Sequence, residues 1–342
     1  MKTCFISRLG GAGDVLHASH LPKLIKEFYG VDSIDFETNY YGMHILTGNP
    51  YINNLIFIDV NKMTSNRMTK KLEHARETYD LIFDFSNTIE KAYCVNENDQ
   101  KYYRSEKWRR EHLGKISYYD VMTKAAGLPE FYYGTRGRLY YKQEEYEQAQ
   151  QWINDKHKIY DFVVMINLSG STLHKKFVQA ESVSLKILSR YPKSLIIITG
   201  DENCREQVFK HERVISYVGS KSNGFRSVAL KCKYVDLNIS LESGLILVAH
   251  SWDAHALQLL TAASWDNHIK YAKNAYWLQA PVLCSPCHKN PREYFGCPIQ
   301  ANMPSCVYFN EDEIMKIIED VYDKMSSKQN ERRFDECSQA AS

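Results

Sequence analysis

The chain has 342 residues, enough for two domains of ordinary size, each with its own core. An apolar share of 44% with 25% charged residues belongs to a globular protein, not a disordered or fibrous one. The formal charge of +2 excludes bulk attraction as the means of holding nucleic acid or an anionic surface, so a charged partner must meet a local patch.

The first residues are apolar only at Cys4-Phe5-Ile6 and are broken at once by Ser7-Arg8, which does not read as a signal peptide. No apolar run approaches the roughly 20 residues that span a bilayer. Of nine cysteines, five are scattered. Together these features predict free thiols in a reducing, cytoplasmic setting.

In chain order, the first half predicts strands at Cys4–Arg8, Ser33–Glu37, Asn54–Val60 and Asp80–Phe85. Between the first two, Leu16, Leu21, Leu24, Ile25 and Phe28 recur at helical spacing over Val15–Phe28, with Pro22 marking a kink or a late helix start. Glu144–Lys158 reads as a connecting helix. A second series then begins with the continuous apolar run Asp161–Leu168, of the kind found in buried parallel strands. Helix Glu181–Tyr191 follows, then strands at Ser194–Thr199, Val214–Val218, Val235–Ile239 and Leu257–Thr261. Strands alternating with helices predict an α/β fold of two Rossmann-like parallel sheets, with units over 1–150 and 151–310. A helix over 311–325, begun by Asn310 with Glu313 three residues on, and a polar, frayed tail over 326–342 complete the expectation.

The first strand runs into Gly10-Gly11-Ala12-Gly13-Asp14. Glycines let a chain turn tightly and let a ligand approach a helix N-terminus. The dinucleotide fingerprint would need a third glycine where Leu16 stands, which disfavours a dehydrogenase or epimerase cofactor site, and no Gly-Lys-Ser/Thr closes a phosphate loop. Asp14 in this place is either a helix cap or a functional acid.

GGAGDVLHASHLPKL, followed by GNPYINNLIFID, resembles the opening of the family 9 glycosyltransferases, the ADP-heptose:lipopolysaccharide heptosyltransferases. The resemblance implies a GT-B fold, with an acceptor-side first half and a nucleotide-sugar-binding second half facing each other across a cleft. It also implies inversion at the anomeric carbon without a catalytic divalent metal, and makes Asp14 the general base. Donor contacts implied in the second half are Ser169, and Lys175 or its neighbour Lys176, in the loop after Asp161–Leu168. A lysine and loop amides can stabilise a leaving diphosphate, although a lysine pair on a loop is also an ordinary solvated feature. Glu202 resembles an acid at the nucleotide edge, or caps the next helix. Glu242-Ser243-Gly244-Leu245 resembles the family's Asp-Thr/Ser-Gly-Leu element with two departures: the acid is glutamate, and the nearest following histidine is His250, since Leu247 fills the family's position.

Cys284, Cys287, Cys297 and Cys306 form a Cys-x2-Cys-x9-Cys-x8-Cys series within a finger at 280–307. Four thiolates suit a closed, structural Zn²⁺ or Fe site, and related protein-modifying heptosyltransferases carry an iron-binding cysteine finger in a similar place. Four free thiols are the plainer alternative. From Lys91 to Lys142, eleven Lys/Arg stand against six Asp/Glu among nine tyrosines, densest at Lys107-Trp108-Arg109-Arg110. This predicts either an ordinary solvated surface or an acceptor-binding grip, through Lys107, Arg109 and Arg110, on a polyanion. By the family resemblance the polyanion would be a lipopolysaccharide core, with the protein peripheral to the inner membrane if the acceptor is lipid-linked; nucleic acid carrying a hydroxylated base is the second reading. A protein hydroxyl, or a non-catalytic sugar-nucleotide-binding module on the same fold, are the alternatives.

Overall fold

The computed structural model describes residues 1–62, 65–92, 99–170, 172–220, 224–289, 297 and 303–340. Two parallel sheets carry the fold. The first has four strands, β1 (Thr3–Ser7), β2 (Ser33–Thr38), β3 (Asn54–Phe57) and β4 (Leu81–Asp84), in the order β3-β2-β1-β4. The second has six, β5 (Phe162–Asn167), β6 (Ser194–Thr199), β7 (Val214–Ser216), β8 (Leu237–Leu241), β9 (Ala256–Leu260) and β10 (Ala275–Gln279), in the order β10-β9-β8-β5-β6-β7. Every pairing is parallel. Both faces are covered, so central strands need no polar alternation: every residue of β5 (FVVMIN) and β6 (SLIIIT) is buried.

In each sheet the chain reverses direction across one strand pair. In the first this happens between β1 and β4, and in the second between β5 and β8. Such points leave a crevice at the carboxyl ends of the strands, where α/β sheets bind ligands. Arg8 follows β1, Ser169 follows β5 and Glu242 follows β8, so the chain itself delivers these residues to the two crevices.

Helices α1 (Ala12–Leu16) and α2 (Leu21–Tyr29) replace the single helix expected over Val15–Phe28. Pro22 stands in the first turn of α2, where its missing N–H costs no bond, and the four residues before Leu21 form a turn. Helices α3 (Tyr40–Leu46), α4 (Ser65–Thr78), α5 (Thr88–Ala92), α6 (Glu106–Leu113) and α7 (Tyr118–Ala125) complete the first half. Helix α8 (Gln143–His157) leads to the second half, which adds α9 (Ala180–Arg190), α10 (Phe225–Lys231), α11 (Gly244–Ser251) and α12 (Trp265–His268). The last helix, α13, runs from Glu311 to Ala340, so the tail expected to fray at 326 continues as helix. Its Ile314, Ile318 and Val321 are buried beside the second sheet, and Asn310 caps it by accepting from the Asp312 amide at 2.9 Å.

One apolar core is continuous from β1 through α1, α2 and Ile153 of α8 to Val163 and Met165 of β5 and Val248 of α11. At its centre α1 crosses α11 at very close range. A Cβ on Gly244 would lie 2.8 Å from the Ala12 Cβ and 3.2 Å from the Gly13 amide, and one on Gly13 would lie 2.8 Å from Leu247. Only glycine permits this approach. Arginines tie the halves around it. Arg136 makes a two-pronged pair with Asp253, both contacts 2.7 Å, and Arg226 holds Glu145 at 2.9 Å and the Tyr140 carbonyl at 2.7 Å.

Candidate functional site

A cavity of about 470 Å³ opens where the two crevices face each other across the α1–α11 crossing. The first half contributes Gly13, Asp14, His17 and Glu90, and the second contributes Ser169, Lys175, Glu242, Ser243 and Gly244. Seven of the ten catalytic and donor-binding residues singled out in the sequence therefore line one space, although Gly13 and Gly244 lie 231 positions apart.

Asp14 stands in the first turn of α1 with its side chain 35% exposed. Its Oδ2 accepts from the Gly11 amide at 2.7 Å, and its Oδ1 lies 3.4 Å from the Arg8 guanidinium. Arg8 is wholly buried and also donates to Glu90 at 3.0 Å and to the Phe85 carbonyl at 3.0 Å, which bridges the β1–β4 crevice. Gly10, at φ 132°, leaves room for the carboxylate: a Cβ there would come within 2.7 Å of Oδ2. Asp14 thus caps its helix and faces the cavity at once. Sequence reasoning missed Arg8 and Glu90; only the strand-end position of Arg8 hinted at either.

On the opposite wall, Lys175 ends a short 3₁₀ turn, Leu173–Lys175, and lines the cavity within electrostatic reach of Glu242. Lys175 is among the lining residues and Lys176 is not. Ser243 caps α11 by accepting from the Ile246 amide at 3.3 Å, so the Gly244 end of that helix presents its free N–H groups to the cavity. Glu242 is buried, and its Oε1 accepts from the Thr261, Ala262 and Ala263 amides at 2.9, 3.0 and 2.8 Å. Burial raises its pKa above the ordinary glutamate value, against the pull of Lys175 and of these amides.

Three expectations need correction. His250 does not line the cavity: it is buried, with Nε2 3.1 Å from Gln258 Oε1, and the same amide reaches His268 Nδ1 at 2.8 Å. Glu202 is 62% exposed and pairs with Arg205, and the lining acid at that edge is Asp201. Arg109 is no surface cation. It is 3% exposed and donates to the Cys287 carbonyl at 2.8 Å and to the carbonyls of Tyr102 and Arg104. Its charge is held by the chain's own carbonyls, as burial of a guanidinium requires. Arg110 similarly donates to the Leu283 carbonyl, while Lys107 is 84% exposed.

Four histidines also line the cavity, His17, His174, His268 and His288, and none was singled out for it in the sequence because they are scattered along the chain. Burial, then Arg8 and His20, push His17 down to about 3; burial and Lys175 push His174 down to about 3. His268 is held well below the ordinary value by burial, then by His17 and Lys175.

The four finger thiols lie within one another's electrostatic reach. Cys306 is pushed up to about 12 by burial first and then by Cys287, Cys297 and Cys284. Among the described residues, however, no three His, Cys, Asp or Glu side chains gather closely enough to hold a metal ion. Residues 290–296 and 298–302, which join the thiols, lie outside the described set. Among the described residues no helix is long and apolar enough to cross a membrane.

This architecture is the GT-B fold of the family 9 glycosyltransferases. A glycosyl transferase family 9 structure from Veillonella parvula superimposes with a TM-score of 0.69 at 13% identity, covering 94% of this chain and 98% of the other. The ADP-heptose lipopolysaccharide heptosyltransferase II of E. coli gives 0.61 at 12% identity, over 95% and 100%. TibC of enterotoxigenic E. coli H10407, an iron-containing dodecameric glycosyltransferase, gives 0.60 at 11% identity, over 95% and 77%. No protein-family model and no curated protein sequence matches the chain.

Proposed function

We propose that the chain is an inverting glycosyltransferase that moves a sugar from a nucleotide-diphosphate donor to an acceptor hydroxyl. The supporting observation is that one cavity has a carboxylate on one wall, with a lysine and a helix N-terminus on the other. Asp14, oriented by Arg8 and the Gly11 amide, takes the proton of the attacking hydroxyl. Lys175 and the α11 amides receive the charge that develops on the leaving diphosphate. Attack from the Asp14 side on a carbon whose leaving group lies toward α11 inverts it in a single displacement. The wall of Tyr217, Phe225 and Val228 offers an apolar seat for the donor's base.

The acceptor in this reading is a polyanion of the lipopolysaccharide-core type, met by Lys107, since Arg109 is engaged inside the fold. Cys284, Cys287, Cys297 and Cys306 would have to draw closer together than they stand here to close on one structural Zn²⁺ or Fe ion, a reading carried by the four-thiolate donor set alone. That ion would hold the finger, and no step of the transfer runs through it.

The test incubates the protein with ADP-, UDP- and GDP-sugars and core oligosaccharide, following nucleotide release and product mass, with NMR of the new glycosidic bond. One donor should be consumed, with inverted configuration in the product. Binding of a donor without turnover across acceptors would leave a sugar-nucleotide-binding module instead.

A further inference from the structure

Two of the histidines in the cleft have no hydrogen-bond partner among the described residues. His17 is 2% exposed and His288 is 1% exposed, and neither ring nitrogen of either residue has a hydrogen-bond partner among the described residues. A buried polar group left unpaired costs stability, so such groups persist where something outside the chain satisfies them. Both line the same cavity as Asp14 and Lys175. The fold goes to some length to place them. His288 sits at φ 56°, unusual for a side chain of this size, with its amide bonded to the Ala262 carbonyl at 2.8 Å. His17 is wedged edge-on against Tyr118 and Tyr119, with ring centroids 5.5 and 4.8 Å away.

His268 joins them, its ring 6.1 Å from that of His17. Gln258 gives its oxygen to His250 and its amide N–H to His268 Nδ1, so His268 carries its proton on Nε2. The orientation of this ring is therefore fixed from behind.

We propose that His17, His268 and His288 form a hydroxyl-reading subsite for the sugar that is transferred, an inference that rests on the cleft being a sugar-nucleotide site. Neutral imidazoles each offer one donor and one acceptor, the complement of vicinal hydroxyls. A phosphate would call for cations and free amides, and Lys175 and the α11 N-terminus already supply these. A nucleobase would call for the apolar wall carried by Tyr217 and Phe225. The histidines come instead from the end of α1, from α12 and from the finger, and His268 feels the Lys175 charge, so the three rings stand beside the diphosphate seat, to which the transferred sugar is joined.

The test compares wild type with His17→Phe and His17→Gln. Calorimetry measures ADP, UDP and GDP against ADP-D-β-D-heptose, UDP-glucose and GDP-mannose, and thermal melts are recorded without ligand. Phenylalanine keeps the ring packed on Tyr118 and Tyr119 but removes the unpaired nitrogens. His17→Phe should raise the ligand-free Tm by about 2 °C or more, and should cut the preference for the best sugar nucleotide over its free diphosphate about three- to tenfold. Affinity for the diphosphate itself should not move, and His17→Gln should restore part of the preference. An unchanged preference in both variants would overturn the subsite, whatever the melts show. If wild type binds none of the six nucleotides, the sugar-nucleotide reading itself falls and takes the subsite with it.

Discussion

Asp14 has two neighbours that decide what it can do. The Gly11 amide and the Arg8 guanidinium hold the carboxylate in one orientation, and each leaves lone pairs free for a hydroxyl entering from the cavity. Asparagine at this position is nearly isosteric and its oxygen can still accept from Gly11, so Asp14→Asn should keep the fold and donor binding. Turnover should fall on the order of 10²–10⁴-fold, the usual loss when a proton acceptor is removed; near-native turnover in a steady-state assay would leave Asp14 as a helix cap alone. Lys175 stands on the cavity wall, and in the proposed reaction the charge it meets arrives with the substrate. Lys175→Ala should raise KM for the donor and lower kcat together, while wild-type activity survives EDTA. Absolute dependence on added Mg²⁺ or Mn²⁺ would contradict this assignment. At this scale the sequence was half legible. Asp14, Lys175 and the Glu242-Ser243-Gly244 element were readable because each follows a strand end in a fixed order. Arg8, Glu90 and the histidines of the cleft were not, because only the tertiary fold brings residues 8 and 90, or 17 and 288, together.

The strands were legible wherever burial on both faces makes a continuous apolar run, as in β5 and β6. Strand β8 begins two residues later than expected, at Leu237. Its polar Asn238 and Ser240 are buried and bonded, to the Cys232 carbonyl at 2.9 Å and to Asn167 at 3.2 Å, so polarity did not mark its end. Strand β10 was missed because it is an edge strand, half-exposed throughout. Among the helices, the α1–α11 crossing makes the sharpest prediction. Gly244→Ala puts a methyl 2.8 Å from the Ala12 Cβ, where neither backbone has space to yield. Overpacking of this kind costs about 1–3 kcal/mol, and thermal or urea unfolding should show it as a lower midpoint. The finger gives the other prediction at this scale. Protein purified under reducing conditions should carry about one equivalent of zinc or iron by elemental analysis; a metal-free, fully folded protein would return Cys284, Cys287, Cys297 and Cys306 to the status of ordinary thiols.

For the molecule as a whole, the buried histidines couple stability to pH. His17, His20 and His174 are held at about 3 and His250 at about 4, all chiefly by burial. In the unfolded chain each titrates near 6.5. Their folded values are depressed, so their contribution is complete above pH 6.5 and is lost as pH falls toward 4, where only the unfolded chain takes up the protons. Each group removes up to about 1.4 kcal/mol per pH unit in that window. His157, raised by its bond to Asp236, acts in the opposite sense but is a single, less buried group. Tm measured from pH 7.5 down to 5 should therefore drop steeply below about 6.5, and a flat profile would show that these rings are solvated. The continuous core bears on how the chain comes to be folded at all. The first sheet has all four of its strands once residue 84 has been made, but the face of α1 that meets α11 stays bare until residue 251 follows. On the ribosome, at about 5–20 residues per second, that face waits many seconds for its cover. Central strand β5 likewise waits for β8, its neighbour in space but fourth in order of synthesis within its sheet. The nascent chain thus spends nearly half of its synthesis as a finished sheet with an open apolar side, a state in which a holding chaperone matters more than speed of folding.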